Sequence, residues 1–230
     1  MRRPPHPEQM EYPMDFITRT ISVFPQLLTA VPVVLQLAFG AMALALVLGL
    51  LIALARLSNS NLLKTGATAF VEVMRGTPLL VQLVYIFFVL PSIGIAIEPV
   101  PAGIVGLGLN YAAYLSEVFR SAILSVERGQ TEAALSLGYT PTSTLWKVVI
   151  PQSFVVSMAP IGNYFISLIK DTALTSVIAV SEILKTANMV NSQTFQTTEI
   201  YTAAALMYLI ISLPLSRAVI LLERKVRANA

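Results

Sequence analysis

The 230-residue chain contains no cysteine, which excludes disulfides, thiol catalysis and Cys-based metal sites. Charge is scarce: Asp, Glu, Lys and Arg make up 12% of residues and hydrophobic residues 56%. A soluble domain carries about twice that charge, so a surface covered by water on all sides is excluded. The period-two alternation of a membrane β-barrel is missing, and lipid offers no partner to the backbone edges of an open sheet. The single histidine, His6, lies in "RRPPHPEQ", part of a tail over residues 1–14 that is expected to be disordered. With no usable histidine and no H-E-x-x-H helix, an intramembrane metalloprotease and a His-dependent serine hydrolase are excluded. No G-x-x-x-x-G-K-[ST] loop is present, so any ATP consumed must be bound by another chain. The net charge of +3 is too small to argue for nucleic acid as a partner.

What is present is a series of apolar runs long enough to cross about 30 Å of hydrocarbon. The expected fold is an all-α membrane protein with about five transmembrane helices in one domain, residues 15–230. Residues 15–30 show helical spacing of Phe16, Ile17, Ile21, Phe24, Leu27 and Leu28, which predicts an amphipathic helix on the membrane face, bent at Pro25. Spans are expected over Val33–Ala55, Ala67–Leu90 and Ala102–Leu124, from about Gln152, and over Tyr201–Leu222. The fourth is interrupted by Pro160, Gly162 and the pair Lys170–Asp171, and "ALTSVIAV" either extends it or forms a half-helix. Gly40 and Gly49 read as close-packing positions of the first span. Residues 1–26 mix prolines, acids and arginines without an apolar core, so the first span is expected to act as its own insertion signal.

An odd number of spans puts the termini on opposite sides. Arg56, Lys64, Arg120, Arg128, Lys147, Arg224, Lys225 and Arg227 fall on one side; Lys185, Arg2, Arg3 and Arg19 fall on the other. The excess predicts a cytoplasmic C-terminus and an outer N-terminus, with residues 127–151 in the cytoplasm.

That stretch, "ERGQTEAALSLGYTPTSTLWKVVIP", predicts two short helices. Thr131 is a cap for a helix starting at Glu132, Gly138 is the left-handed stop, Thr140 caps a second helix with Pro141 at its first position, and Pro151 breaks or kinks its far end. Trp146 reads as an interface anchor. Physics alone leaves open whether this is a docking element or a plain interfacial loop.

The order Glu132-Ala133-Ala134, then Gly138, then Val148-Val149-Ile150-Pro151 resembles the cytoplasmic signature of importer permeases of the ATP-binding cassette (ABC) superfamily. "VEVMRGTPLLVQL" (71–83), "NYAAYLSEVFRSAI" (110–123) and "IKDTALTSVIAVSEI" (169–183) resemble the subgroup that takes up polar amino acids. The resemblance covers nearly the whole chain. It implies a type I importer permease fold in a bacterial plasma (inner) membrane, with the Glu132–Leu137 helix docking on an ATPase through Glu132, Ala133, Ala134, Gly138 and Pro151. It also implies partners: two ATPase subunits that bind ATP and Mg, a second permease copy or paralogue, a periplasmic or extracellular solute-binding protein, and a polar amino acid as substrate. The chain itself would hold no cofactor and would not be an enzyme. A membrane scaffold, or a secondary carrier not driven by ATP, is the alternative.

Ionisable groups inside spans face protein or water. Asn110, Tyr114, Glu117 and Ser121 fall on one stripe of the third span, and Asn163, Ser167, Lys170 and Asp171 on a face of the fourth. These are candidates for a polar path that a zwitterion can pass. Glu72 and Arg75, one turn apart, are read as a structural ion pair. Glu117 stands equally as a path residue or as the partner of Arg120.

Overall fold

The computed structural model describes residues 7–228, with side chains from 14 to 221; His6 and most of the expected tail's side chains lie outside these. Every regular element described is helical. Helix α1 (Pro7–Leu28) runs through Pro25 and reaches into the stretch expected as tail. Its buried residues Thr20, Val23 and Leu27 turn toward the later helices α9 (Ile183–Thr194) and α10 (Thr197–Ala228), which it contacts.

The centre is the pair α2 (Val31–Leu57) and α5 (Pro99–Ser125), which lie against each other more extensively than any other two elements. Small residues explain the closeness. α2 buries Ala38, Ala41, Ala45, Gly49 and Ala53 along one stripe. A Cβ on Gly49 would sit 3.0 Å from Leu115 Cβ, 3.2 Å from the Ala112 carbonyl oxygen and 3.3 Å from the Ser116 nitrogen. On α5, Gly108 leaves the same kind of room for Leu44. Gly40 and Gly49 are therefore packing positions, as their sequence context suggests.

The expected second span is not continuous. α3 (Asn61–Gly76) ends at Gly76, and α4 (Leu79–Val84) starts after Pro78 at an angle of 104° between the two halves. Thr77 and Pro78 are extended, because the residue before a proline is pushed out of the helical region and proline has no N–H to continue the ladder. A π-helical turn over Tyr85–Val89 and a 3₁₀ turn over Leu90–Ile93 finish this arm, with Gly94 at φ 87°.

Pro151, by contrast, does not end a helix. α7 (Pro141–Thr144), a π-helical turn over Leu145–Val149, α8 (Ile150–Asp171) and a 3₁₀ turn over Thr172–Ile178 follow without a break, forming one helical path of 38 residues, Pro141–Ile178. The Ile150 N–H reaches back five residues to the Leu145 carbonyl. This wider turn takes up the misfit that a proline imposes on an α-helix. The other π turn stands in the same relation to Pro91, where the Leu90 N–H donates to the Tyr85 carbonyl.

By length and apolarity, three described helices can cross a membrane, and a fourth crossing arises if the bent α3–α4 arm is one span. The expected count of about five is not reached on that basis. α5, with 27 residues, is long enough but dilutes its apolar run with Asn110, Glu117 and Arg120. These groups are buried or paired within the protein.

Candidate functional site

The break between α3 and α4 frees backbone carbonyls, and two side chains take them. Gln82 Nε2 donates to the Met74 carbonyl at 2.8 Å, to Thr77 Oγ1 at 2.8 Å and to the Thr77 carbonyl at 3.1 Å. Asn110 Nδ2 donates to the Met74 carbonyl at 3.2 Å and to Gln82 Oε1 at 3.1 Å. Asn110, expected as path lining, thus also clamps the broken arm onto α5. Sequence reasoning missed Gln82 in this role, although Gly76, Thr77 and Pro78 just ahead of it signal a turn.

Beneath the break lies a cleft of about 450 Å³, lined among others by Arg75, Asn110, Tyr111, Tyr114, Ser167 and Asp171. Its walls are aromatic: the rings of Tyr114 and Tyr164 are 5.7 Å apart, and Tyr111 meets Tyr164 edge-on at 6.2 Å. The Tyr111 hydroxyl donates to Asp171 Oδ2 at 2.7 Å, fixing a carboxylate at one end. A second cleft of about 440 Å³ adjoins it, lined by Arg56, Val71, Glu72, Arg75, Gly76, Tyr114 and Glu117.

Around Glu117 three guanidinium groups converge: Arg56 at 2.8 Å and Arg75 at 3.4 Å on Oε1, and Arg120 at 3.1 Å on Oε2. Arg75 also lies over the Tyr114 ring, 5.5 Å from its centroid. The expected Glu72–Arg75 pair does not form. Glu72 is exposed and takes part in no ion pair among the described residues, while Arg75 turns to Glu117. An exposed one-turn pair contributes only about 0.3–0.5 kcal/mol, too little to hold Arg75 against a carboxylate on the neighbouring helix.

Of the other expected path residues, Tyr114, Ser167 and Asp171 line the first cleft, and Tyr114 and Glu117 the second. Ser121, Asn163 and Lys170 line neither and are exposed. On α8 the cleft takes Tyr164, Ser167 and Asp171, spaced i, i+3 and i+7 on one helical face. Asn163 and Lys170 each precede a cleft residue, so they project roughly 100° away from it.

At the far end of α5, Val126 and Glu127 are extended and α6 (Arg128–Ser136) begins at once, so Thr131 is inside that helix rather than at its cap. α6 ends as expected. Gly138 has φ 84°, its N–H bonds to the Leu135 carbonyl at 3.0 Å, and the Tyr139 N–H bonds to the Ala134 carbonyl at 3.1 Å. This is the paired bonding of a Schellman stop. Thr140 Oγ1 then accepts from the Ser143 N–H at 3.2 Å and caps α7. Ala134 is buried, while Glu132, Ala133, Leu135 and Leu137 are exposed, Leu137 at 80%. The turn is closed by its own hydrogen bonds and shows apolar side chains that no described residue covers.

Residues 45–228 match the family described as "binding-protein-dependent transport system inner membrane component". The L-cystine transport system permease protein TcyB of Bacillus subtilis is 42% identical over 181 residues, covering 78% of this chain and 77% of that protein. The glutamine transport system permease protein GlnP of Escherichia coli is 36% identical over 205 residues, covering 88% and 94%. Among solved structures, an amino acid ABC transporter crystallised with histidines superposes with a TM-score of 0.83 at 35% identity, over 89% of this chain and 96% of that one. The MetNI methionine ABC transporter, at 21% identity and a TM-score of 0.75 over 89% and 98%, shares the fold. With four-fifths of its length matched by the family, a clamped bent arm beside a polar cleft, and a capped turn with exposed apolar side chains, the chain belongs to the inner-membrane permease components of binding-protein-dependent ABC transport systems and is a transport subunit rather than an enzyme.

Proposed function

We infer that the chain is the permease of an ABC importer for polar amino acids and forms half of its pore. The observation that carries this reading is one helical path that begins at α7, joined to α6 by the turn at Leu137–Thr140, and ends beyond the cleft residues Ser167 and Asp171. A push on the α6–α7 turn travels along Pro141–Ile178 without meeting a loop that would absorb it. Relatives named for cystine and glutamine support amino acids as the substrate class.

In this reading two ATPase subunits bind ATP and Mg and dock on the exposed residues Glu132, Ala133, Leu135 and Leu137. Gly138 and Pro151 set the geometry of the element. ATP-driven closure of the motor moves α6, and the pore alternates between its two openings. Such a switch is biased only by ligands that bind its two states differently. α5 serves as a further span whose polar stripe faces protein. Asn163 and Lys170, polar and exposed on a spanning helix, are directed at a second permease copy or paralogue rather than at lipid. A solute-binding protein delivers the amino acid from outside.

Purification of the tagged chain with its complement of subunits tests the assembly. Mass spectrometry should find an ABC ATPase, and crosslinking should trap a solute-binding protein. Uptake driven by an ion gradient, by the chain alone, would replace this reading with a secondary carrier.

A further inference from the structure

The two polar clefts stand in series along α5. Asn110 and Tyr111 face the first, Glu117 the second, and Tyr114 both. Seven residues of helix separate Asn110 from Glu117, about 10 Å, and the second cleft is nearer the end of α5 that leads into α6. The clefts share only Arg75, Gly76 and Tyr114. Gly76 has no side chain, and the Tyr114 ring is braced by Tyr164 on one side and lies under Arg75 on the other. Arg75 is the part of the partition that can move.

Glu117 does not depend on Arg75. Arg56 already holds Oε1 at 2.8 Å and Arg120 holds Oε2 at 3.1 Å, whereas Arg75 reaches Oε1 only at 3.4 Å. Three guanidinium groups share the Glu117 carboxylate while Glu72 lines the same cleft without an ion pair among the described residues, and the group held most weakly is the one lining both clefts. It sits at the C-terminal end of α3, immediately before the 104° break, where a change in the break angle displaces it directly. Across the first cleft Asp171 is held by Tyr111, so the cleft has a cation at one side and an anion at the other.

We propose that Arg75 is the selecting residue between the two clefts: it takes the α-carboxylate of the amino acid in the first cleft and admits it to the second by exchanging that carboxylate for Glu117. No bond is made or broken; one ion pair replaces another. The ligand class is any free α-amino acid, and a solute without a carboxylate has nothing to draw Arg75 from Glu117. The proposal rests on the amino-acid importer reading above.

The test uses the complete transporter, permease with ATPase subunits and binding protein, in proteoliposomes. Amino acid taken up per ATP hydrolysed is measured for the natural chain, Arg75→Gln and Arg75→Lys, with co-purification of the subunits as the check on assembly. The ratio should fall about tenfold or more in Arg75→Gln, the effect of losing one hydrogen bond between charged groups. Arg75→Lys, which keeps a point charge, should recover most of it. An unchanged ratio in Arg75→Gln overturns the proposal. Loss of assembly in Arg75→Gln, or equal impairment of both variants, makes Arg75 a structural residue and overturns it too. If the natural complex takes up no amino acid while still hydrolysing ATP, the importer reading itself fails and this inference falls with it.

Discussion

Gly138 shows how much a single position can decide. Its φ of 84° allows two consecutive N–H groups to turn back on α6 and close it, a conformation that a β-branched residue adopts only with strain. Gly138→Val should cost about 1–3 kcal/mol locally and reorient or fray the end of α6, at a position where an added Cβ meets no other atom within 4 Å. Membrane insertion and pairing of permeases should survive. ATPase stimulation by loaded binding protein and uptake should be lost together, with Ser136→Ala as the neighbouring control; normal stimulation and uptake in Gly138→Val would reduce the stretch to a plain loop. Asn110 acts at the same scale with the opposite consequence. Its two hydrogen bonds, to Met74 and Gln82, tie α3–α4 to α5 in a buried setting. Asn110→Leu should lower stability by about 1–3 kcal/mol, because Gln82 Oε1 loses its donor. A thermal melt of the purified complex that is unshifted would show that the clamp is dispensable.

At the scale of elements, the small-residue seam of α2 and α5 sets how close the two central helices stand. Gly49 faces backbone atoms of α5 rather than flexible side-chain ends, so a larger residue can be accommodated only by moving a helix. Gly49→Val should destabilise the subunit by about 1–3 kcal/mol, read as a lower melting temperature and reduced recovery of the assembled complex. A wild-type melt would mean that the helices part freely. Features written in neighbouring residues, such as the Gly138 stop, the Thr140 cap and the glycine seam, are legible in the sequence. Features that depend on distant residues are not. Local spacing pairs Arg75 with Glu72, yet the carboxylate it meets is Glu117, on another helix and 42 positions away. Apolar residues continue on both sides of Thr77–Pro78, which hides a break that only the extended residue before proline betrays. On α8 the helical period identifies a polar face but not its azimuth, so Ser167 and Asp171 fall in the cleft while Asn163 and Lys170 fall beside it. The π turn that carries the helix through Pro151 has no sequence signal beyond the proline.

For the whole molecule, the proposed orientation rests on the distribution of basic residues, and the proposed coupling rests on the path from α6 to the clefts. Because the chain has no cysteine, single cysteines report its topology directly. A membrane-impermeant thiol reagent should label Ser92→Cys in intact cells and leave Ser125→Cys unlabelled until the membrane is opened. Labelling of Ser125→Cys in intact cells would invert the assignment of α6 to the cytoplasm and separate it from any motor there. The central claim, that this permease passes a polar amino acid under the control of a partner ATPase, is tested most directly by uptake into proteoliposomes holding the assembled transporter. Amino acid should accumulate only when both ATP and the loaded binding protein are present, and accumulation should stop when either is left out. Accumulation that continues without ATP, driven by an ion gradient alone, would contradict that claim.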